Sequence, residues 1–157
     1  MTKYFLLIIS ILSITLIASC SYSFNLDQTF SSPEEIVTWI HYNITPVYDW
    51  DSSHPSLNEW QSPIETLDRR TGDCEDGVIL FMYLCNRDLG IKPDMALGLV
   101  DGNILKGHYI AKIGPVLYDP INRAYGTSLP YDFFPVAVYG YDYVMLKATV
   151  FYTQSVK

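Results

Sequence analysis

The chain has 157 residues, of which 49% are hydrophobic, 17% charged and 15% aromatic, with 13 tyrosines. At roughly 100–200 residues per domain this is one compact domain, and so aromatic a mix excludes a disordered chain. A formal net charge of −7 repels phosphate backbones, so no nucleic-acid partner is expected.

The first 19 residues hold one charge, Lys3, and none of the 17 acids. Tyr4 to Ala18 is a run of 15 apolar or small residues, too short for a membrane span of roughly 20 and suited to a secretory signal. It ends in Leu16-Ile17-Ala18-Ser19-Cys20, which resembles a bacterial lipobox. That resemblance implies cleavage before Cys20, lipidation of its sulfur with palmitate-type acyl chains, and a lipoprotein anchored in a membrane facing the periplasm or cell surface. An ordinary cleaved signal and an uncleaved anchor are the alternatives. The expected organisation is a signal over 1–19, a tether over 20–31 and one domain over 32–157.

Ser32-Pro33-Glu34-Glu35 carries a cap, a proline at the first helical position and a carboxylate three residues after the cap. It predicts a helix over 33–43. Residues 45–61 read as a loop. Ser62-Pro63-Ile64-Glu65 repeats the capping pattern and predicts a short helix to Arg69 or Arg70, which Thr71-Gly72-Asp73 ends. From Cys74 the apolar positions Val78, Ile79, Phe81, Met82 and Cys85 predict a longer helix closed by Leu89-Gly90. Strands are expected over 95–100, 108–113 and from 116 to 118, with one or two more across 136–151. Helices followed by strands predict an α+β fold, an antiparallel sheet packed on N-terminal helices.

Three residues carry the chemistry. Cys74 opens a predicted helix, where unpaired amides and the helix dipole favour a thiolate. His108 starts one strand and Asp119 ends the next. A hairpin across Gly114-Pro115 brings these two together, so that the carboxylate orients the imidazole and the other ring nitrogen faces the thiol. Asp73, Glu75 and Asp76 flank Cys74 and oppose the thiolate, although carboxylates in a first helical turn also serve as caps. Cys74 and Cys85 sit too far apart along one helix to form a disulfide, which leaves Cys85 to the core. His41 and His54 make no convincing zinc site with two cysteines.

Trp60-Gln61-Ser62-Pro63-Ile64-Glu65-Thr66-Leu67, Gly72-Asp73-Cys74-Glu75-Asp76, Gly107-His108-Tyr109 and Leu117-Tyr118-Asp119-Pro120 together resemble the bacterial transglutaminase-like cysteine peptidases. The resemblance covers residues 60–122. It implies a papain-like α+β fold and a Cys74–His108–Asp119 triad acting on a peptide or protein substrate through a thioester. It also implies an oxyanion donor upstream of the cysteine, at Trp60 or Gln61, with Trp60 preferred. No cofactor is required on this reading, but some relatives with Asp-Cys-Glu use calcium, and Asp73 and Glu75 offer the hard oxygens it prefers. An NlpC/P60-type endopeptidase fits less well, because that family reads Asp-Cys-Ser-Gly. The competing class is a non-catalytic binding or assembly lipoprotein of the same fold, with several of the C-terminal tyrosines lining its surface.

Overall fold

A computed structural model describes residues 27–47 and 60–155. The expected signal, Cys20, most of the tether and His54 lie outside the described residues.

Helix α1 (Pro33–Asn43) starts as its sequence dictates. Ser32 accepts the Glu35 amide on its side chain, and the Glu35 carboxylate in turn accepts the Ser31 amide at 2.8 Å. Ile36, Val37 and Ile40 form its buried face. A two-residue strand, β1 (Thr45–Pro46), follows. Helix α2 (Pro63–Arg69) is capped by Ser62 and ends at Arg70, which takes the left-handed conformation with φ 56°. Strand β2 (Thr71–Gly72) then pairs in parallel with β1, with Thr45 N–H donating to Arg70 O at 2.8 Å and Val47 N–H to Gly72 O at 3.1 Å. This small bridge fixes the chain just before Cys74.

Helix α3 (Cys74–Leu84) is the axis of the core. Val78, Ile79, Leu80, Phe81, Met82 and Leu84 are all fully buried, as expected of a helix apolar on every side. The helical stretch predicted to Leu89 divides: after Leu84 it relaxes into a π-helical turn, Cys85–Leu89, closed by left-handed Gly90. Cys85 is buried there and both Cys74 and Cys85 are free thiols.

The sheet comprises β3 (Asp94–Val100), β4 (Asn103–Ile113), β5 (Val116–Asp119), β6 (Ala124–Gly126) and β7 (Phe133–Tyr139). Its order is β6-β5-β4-β3-β7, with every pair antiparallel. Strand β4 begins five residues before the expected His108, because the Asp101-Gly102 turn closes a tight hairpin in which Val100 pairs with Asn103. The predicted C-terminal strands are corrected. Only Phe133–Tyr139 is extended, and Tyr141–Ser155 is helix α4. Its β-branched and aromatic composition suits a strand. However, Val144 and Ala148, four residues apart, are the positions that bury against the core, and a four-residue spacing is a helical face. The fold is α+β and papain-like, as predicted.

Gly77 explains how closely α3 approaches the loop after β5. A Cβ there would lie 2.6 Å from Ile121 Cδ1 and 2.8 Å from its Cγ1. Alanine at an ordinary helical glycine gains up to ~1 kcal/mol. Here overpacking costs about 1–3 kcal/mol, so Gly77→Ala is expected to lower the melting temperature, and adding Ile121→Val, which deletes Cδ1, to recover part of the loss.

Candidate active site

The N-terminus of α3 carries the thiol. Asp73 is the N-cap and forms a capping box with Asp76: the Asp76 amide donates to Asp73 Oδ1 at 3.5 Å and the Asp73 amide to Asp76 Oδ2 at 3.4 Å. Asp76 Oδ1 also accepts the backbone N–H of Gln61 at 2.8 Å, which ties the segment before α2 to the first turn of α3. Asp73, Glu75 and Asp76 are all buried.

The thiol is not poised as a thiolate. Cys74 donates its single proton to Glu75 Oε2 at 3.1 Å. Burial, then the negative charge of Glu75, hold its pKa well above the ordinary cysteine value, and Asp73 adds to the effect. A hydrogen bond from the Tyr109 amide works in the opposite direction but does not prevail. The expectation that the helix terminus lowers this pKa is therefore corrected. A helix dipole contributes ~0.3–1 kcal/mol, up to ~2 when partly buried, too little against desolvation together with two adjacent carboxylates.

Strands β4 and β5 supply the other half. Their register sets Ala111 opposite Tyr118, and continuing it puts Asp119 opposite Ile110, on the same face as His108. His108 Nε2 meets Asp119 Oδ2 at 2.8 Å. Asp119 is completely buried and accepts three further bonds: from the Asn122 amide to Oδ1 at 3.1 Å, from Asn122 Nδ2 to Oδ2 at 2.7 Å, and from the Tyr131 hydroxyl to Oδ2. Burial alone would raise its pKa, but His108 first, then Tyr131 and Asn122, hold it below the ordinary 3.8. Because the Tyr109 amide reaches the Cys74 sulfur, the strand bearing His108 runs past the start of α3.

The two expected oxyanion residues lie in different settings. Trp60 is in the core, edge-on to Tyr109 and Tyr139, with Lys147 Nζ 4.0 Å over its ring. The side-chain carbonyl oxygen of Gln61 is buried and has no hydrogen-bond partner among the described residues, while its backbone N–H is given to Asp76. Sequence reasoning missed Asn122, Tyr131 and His41. Asp-Pro-Ile-Asn is a turn pattern in which Asn122 could have been found, whereas Tyr131 is indistinguishable among its neighbouring tyrosines. His41 Nδ1 donates to Ile121 O at 2.8 Å and so braces the loop after Asp119.

Asp73, Cys74 and Glu75 each present a ligand atom, all within 4.8 Å of one another. Two buried carboxylates fit a hard divalent cation such as calcium, although the thiol does not. Among the described residues Glu75 has no ion pair with a lysine or arginine.

No protein-family model matches the chain, and no curated protein matches it. Solved structures do. Calcium-bound Legionella pneumophila LapG superposes with a TM-score of 0.54 at 15% identity, over 73% of this chain and 77% of that one. EGTA-treated LapG gives 0.50 at 16%, over 74% and 77%. A candidate cysteine protease from Cytophaga hutchinsonii overlays at 0.43 with 20% identity, over 69% and 43%, which is too loose to carry an argument. At these identities the likeness to LapG is one of fold.

Removing the Glu75 charge must favour the Cys74 thiolate, because a like charge no longer opposes it. Glu75→Gln is expected to shift the pH profile of Cys74 alkylation to lower pH and to speed labelling at neutral pH by up to about tenfold, one pKa unit. Mass spectrometry of the labelled peptide reads this directly.

Proposed function

We propose that the protein is a thiol hydrolase of the transglutaminase-like cysteine peptidase class, acting on peptide or amide bonds. One observation carries the reading: the imidazole of His108 is bonded at 2.8 Å to a fully buried Asp119 carboxylate, on the strand whose next amide reaches the Cys74 sulfur. Burying a carboxylate is costly unless its hydrogen bonds are satisfied. Aiming that carboxylate at an imidazole one residue from the amide that meets the thiol supports the arrangement of nucleophile, base and orienter.

With Nε2–H donating to Asp119, the lone pair of Nδ1 is left to accept a proton. Nδ1 takes the Cys74 proton as the sulfur attacks the substrate carbonyl. The resulting oxyanion is met by the Cys74 backbone N–H and a donor from Gln61. Collapse breaks the C–N bond, and the amine departs with the proton held on His108. The acyl group stays on Cys74 as a thioester until a water, deprotonated by the same imidazole, releases the acid. An amine in place of water gives acyl transfer. Since the resting thiol is neutral, its proton must move when substrate arrives.

Calcium fits the same site. Asp73 and Glu75 would hold it, and the ion would supply positive charge beside Cys74 that offsets their field. The calcium-bound and EGTA-treated forms of LapG support this reading. On the sequence alone, we further propose export and membrane anchoring through lipidated Cys20.

The triad is tested by iodoacetamide labelling of Cys74 in wild type and His108→Ala, with melting curves confirming both are folded. The variant is expected to label at least about tenfold more slowly, a floor set below the ~100–10,000-fold usually supplied by a general base. Equal rates would sink the triad and favour a non-catalytic module. Separately, millimolar calcium is expected to raise the melting temperature of wild type by several degrees, equivalent to ~1–3 kcal/mol of ligand linkage. Asp73→Asn and Glu75→Gln should lose that shift, and an unchanged wild-type melting temperature would remove calcium from the account.

A further inference from the structure

Resting on that reading of the site, we infer that Tyr131 is a positioning residue, which with Asn122 holds Asp119 so that His108 keeps its proton on Nε2 and its lone pair on Nδ1. Three donors converge on one oxygen, Asp119 Oδ2: His108 Nε2, Asn122 Nδ2 and the Tyr131 hydroxyl. A carboxylate held from several directions cannot rotate, so its acceptor lobe stays aimed at the imidazole. Tyr131 touches the imidazole as well. Its ring meets that of His108 edge-on, with centroids 5.9 Å apart at 73°, so one side chain fixes both partners of the His–Asp pair.

Where Tyr131 comes from matters as much as what it touches. It lies between β6 and β7, and its neighbour Asp132 is fastened to the β3–β4 turn. The Asp101 amide donates to Asp132 O at 2.9 Å, and the Asp132 amide returns a bond to Asp101 Oδ1 at 3.3 Å. Asp101 itself takes the left-handed conformation, φ 52°. One backbone bond and one backbone-to-side-chain bond therefore fasten the residue next to Tyr131 to the hairpin turn, and the Tyr131 hydroxyl carries the connection on to Asp119. Asn122 works differently. It sits in the turn directly after Asp119 and grips the carboxylate with its amide and its side chain. The two residues approach Asp119 from separate parts of the chain and restrict different motions.

Of the titratable groups nearby, Cys74 acts on Tyr131 itself. Cys74, Asp73 and Glu75 lie at the start of α3, and their charges reach the Tyr109 hydroxyl next along β4. None of the three donates to Asp119, so they do not set the tautomer through it.

The test uses the ring-nitrogen shifts of His108, read through its carbon-bound protons, in wild type, Tyr131→Phe and Asn122→Ala. The expected wild-type pattern is a protonated Nε2 and a bare Nδ1. In each variant the two nitrogen shifts are expected to move toward one another as the tautomers mix. Cys74 alkylation should slow by roughly three- to tenfold with the melting curve nearly preserved in Tyr131→Phe, which keeps the ring contact. Nitrogen shifts unchanged in both variants would overturn the inference, whatever the alkylation rates. If instead His108→Ala labels as fast as wild type while the shifts still move in Tyr131→Phe, the proposed activity fails and the positioning role stands.

Discussion

The carboxylate of Asp76 joins the pieces of chain that meet at Cys74. One oxygen closes the capping box on the Asp73 amide and the other takes the backbone N–H of Gln61, so the start of α3 and the segment before α2 are held by one side chain. Gly72 lies against it: a Cβ there would come within 2.7 Å of Asp76 Cβ. The β1–β2 bridge, the approach to the cysteine and the upstream segment all meet at this side chain. Without a satisfied cap the first turn of α3 would lose amide partners that it needs where it is buried, and the thiol would lose its fixed place.

The same concentration of carboxylates sets the chemistry. Asp73 and Asp76 stabilise the helix start, where the dipole welcomes negative charge. Glu75 takes the Cys74 proton's hydrogen bond. What makes a good helix terminus therefore makes a thiol that ionises reluctantly. The two effects act on different parts of the molecule, backbone amides for the cap and sulfur for the thiol, so both hold at once.

Capping chemistry was the most legible part of the sequence. Ser32, Ser62 and Asp73 each sit before a helix whose start matches expectation, because a cap is a local contest that a few residues decide. His108 and Asp119 could be placed near one another because a hairpin register is also local. The C-terminal stretch misled because its residues favour strands, whereas the core demanded a helix through Val144 and Ala148. That demand comes from tertiary packing and leaves little trace in composition. Asn122 was within reach through its turn pattern. Tyr131 was not: its hydroxyl meets Asp119 from a loop that is fastened to the distant β3–β4 turn by the two Asp101–Asp132 bonds.

The two halves of the site are prepared to different degrees. Asp119 is buried, fully hydrogen-bonded and held ionised, so the half that orients the base is rigid before any ligand arrives. The thiol half is settled in the opposite sense, neutral and bonded to a carboxylate one residue away. Preorganisation lowers a barrier only where the fixed groups match the charge that develops. An imidazolium gains from Asp119, while a thiolate is opposed by Glu75 and Asp73. In the proposed reaction the fixed charges therefore oppose one step in particular, moving the proton from sulfur to imidazole. Whatever draws the Glu75 charge away from the sulfur, whether a cation or a substrate's own positive group, acts on that step alone and leaves the rest of the site as it stands.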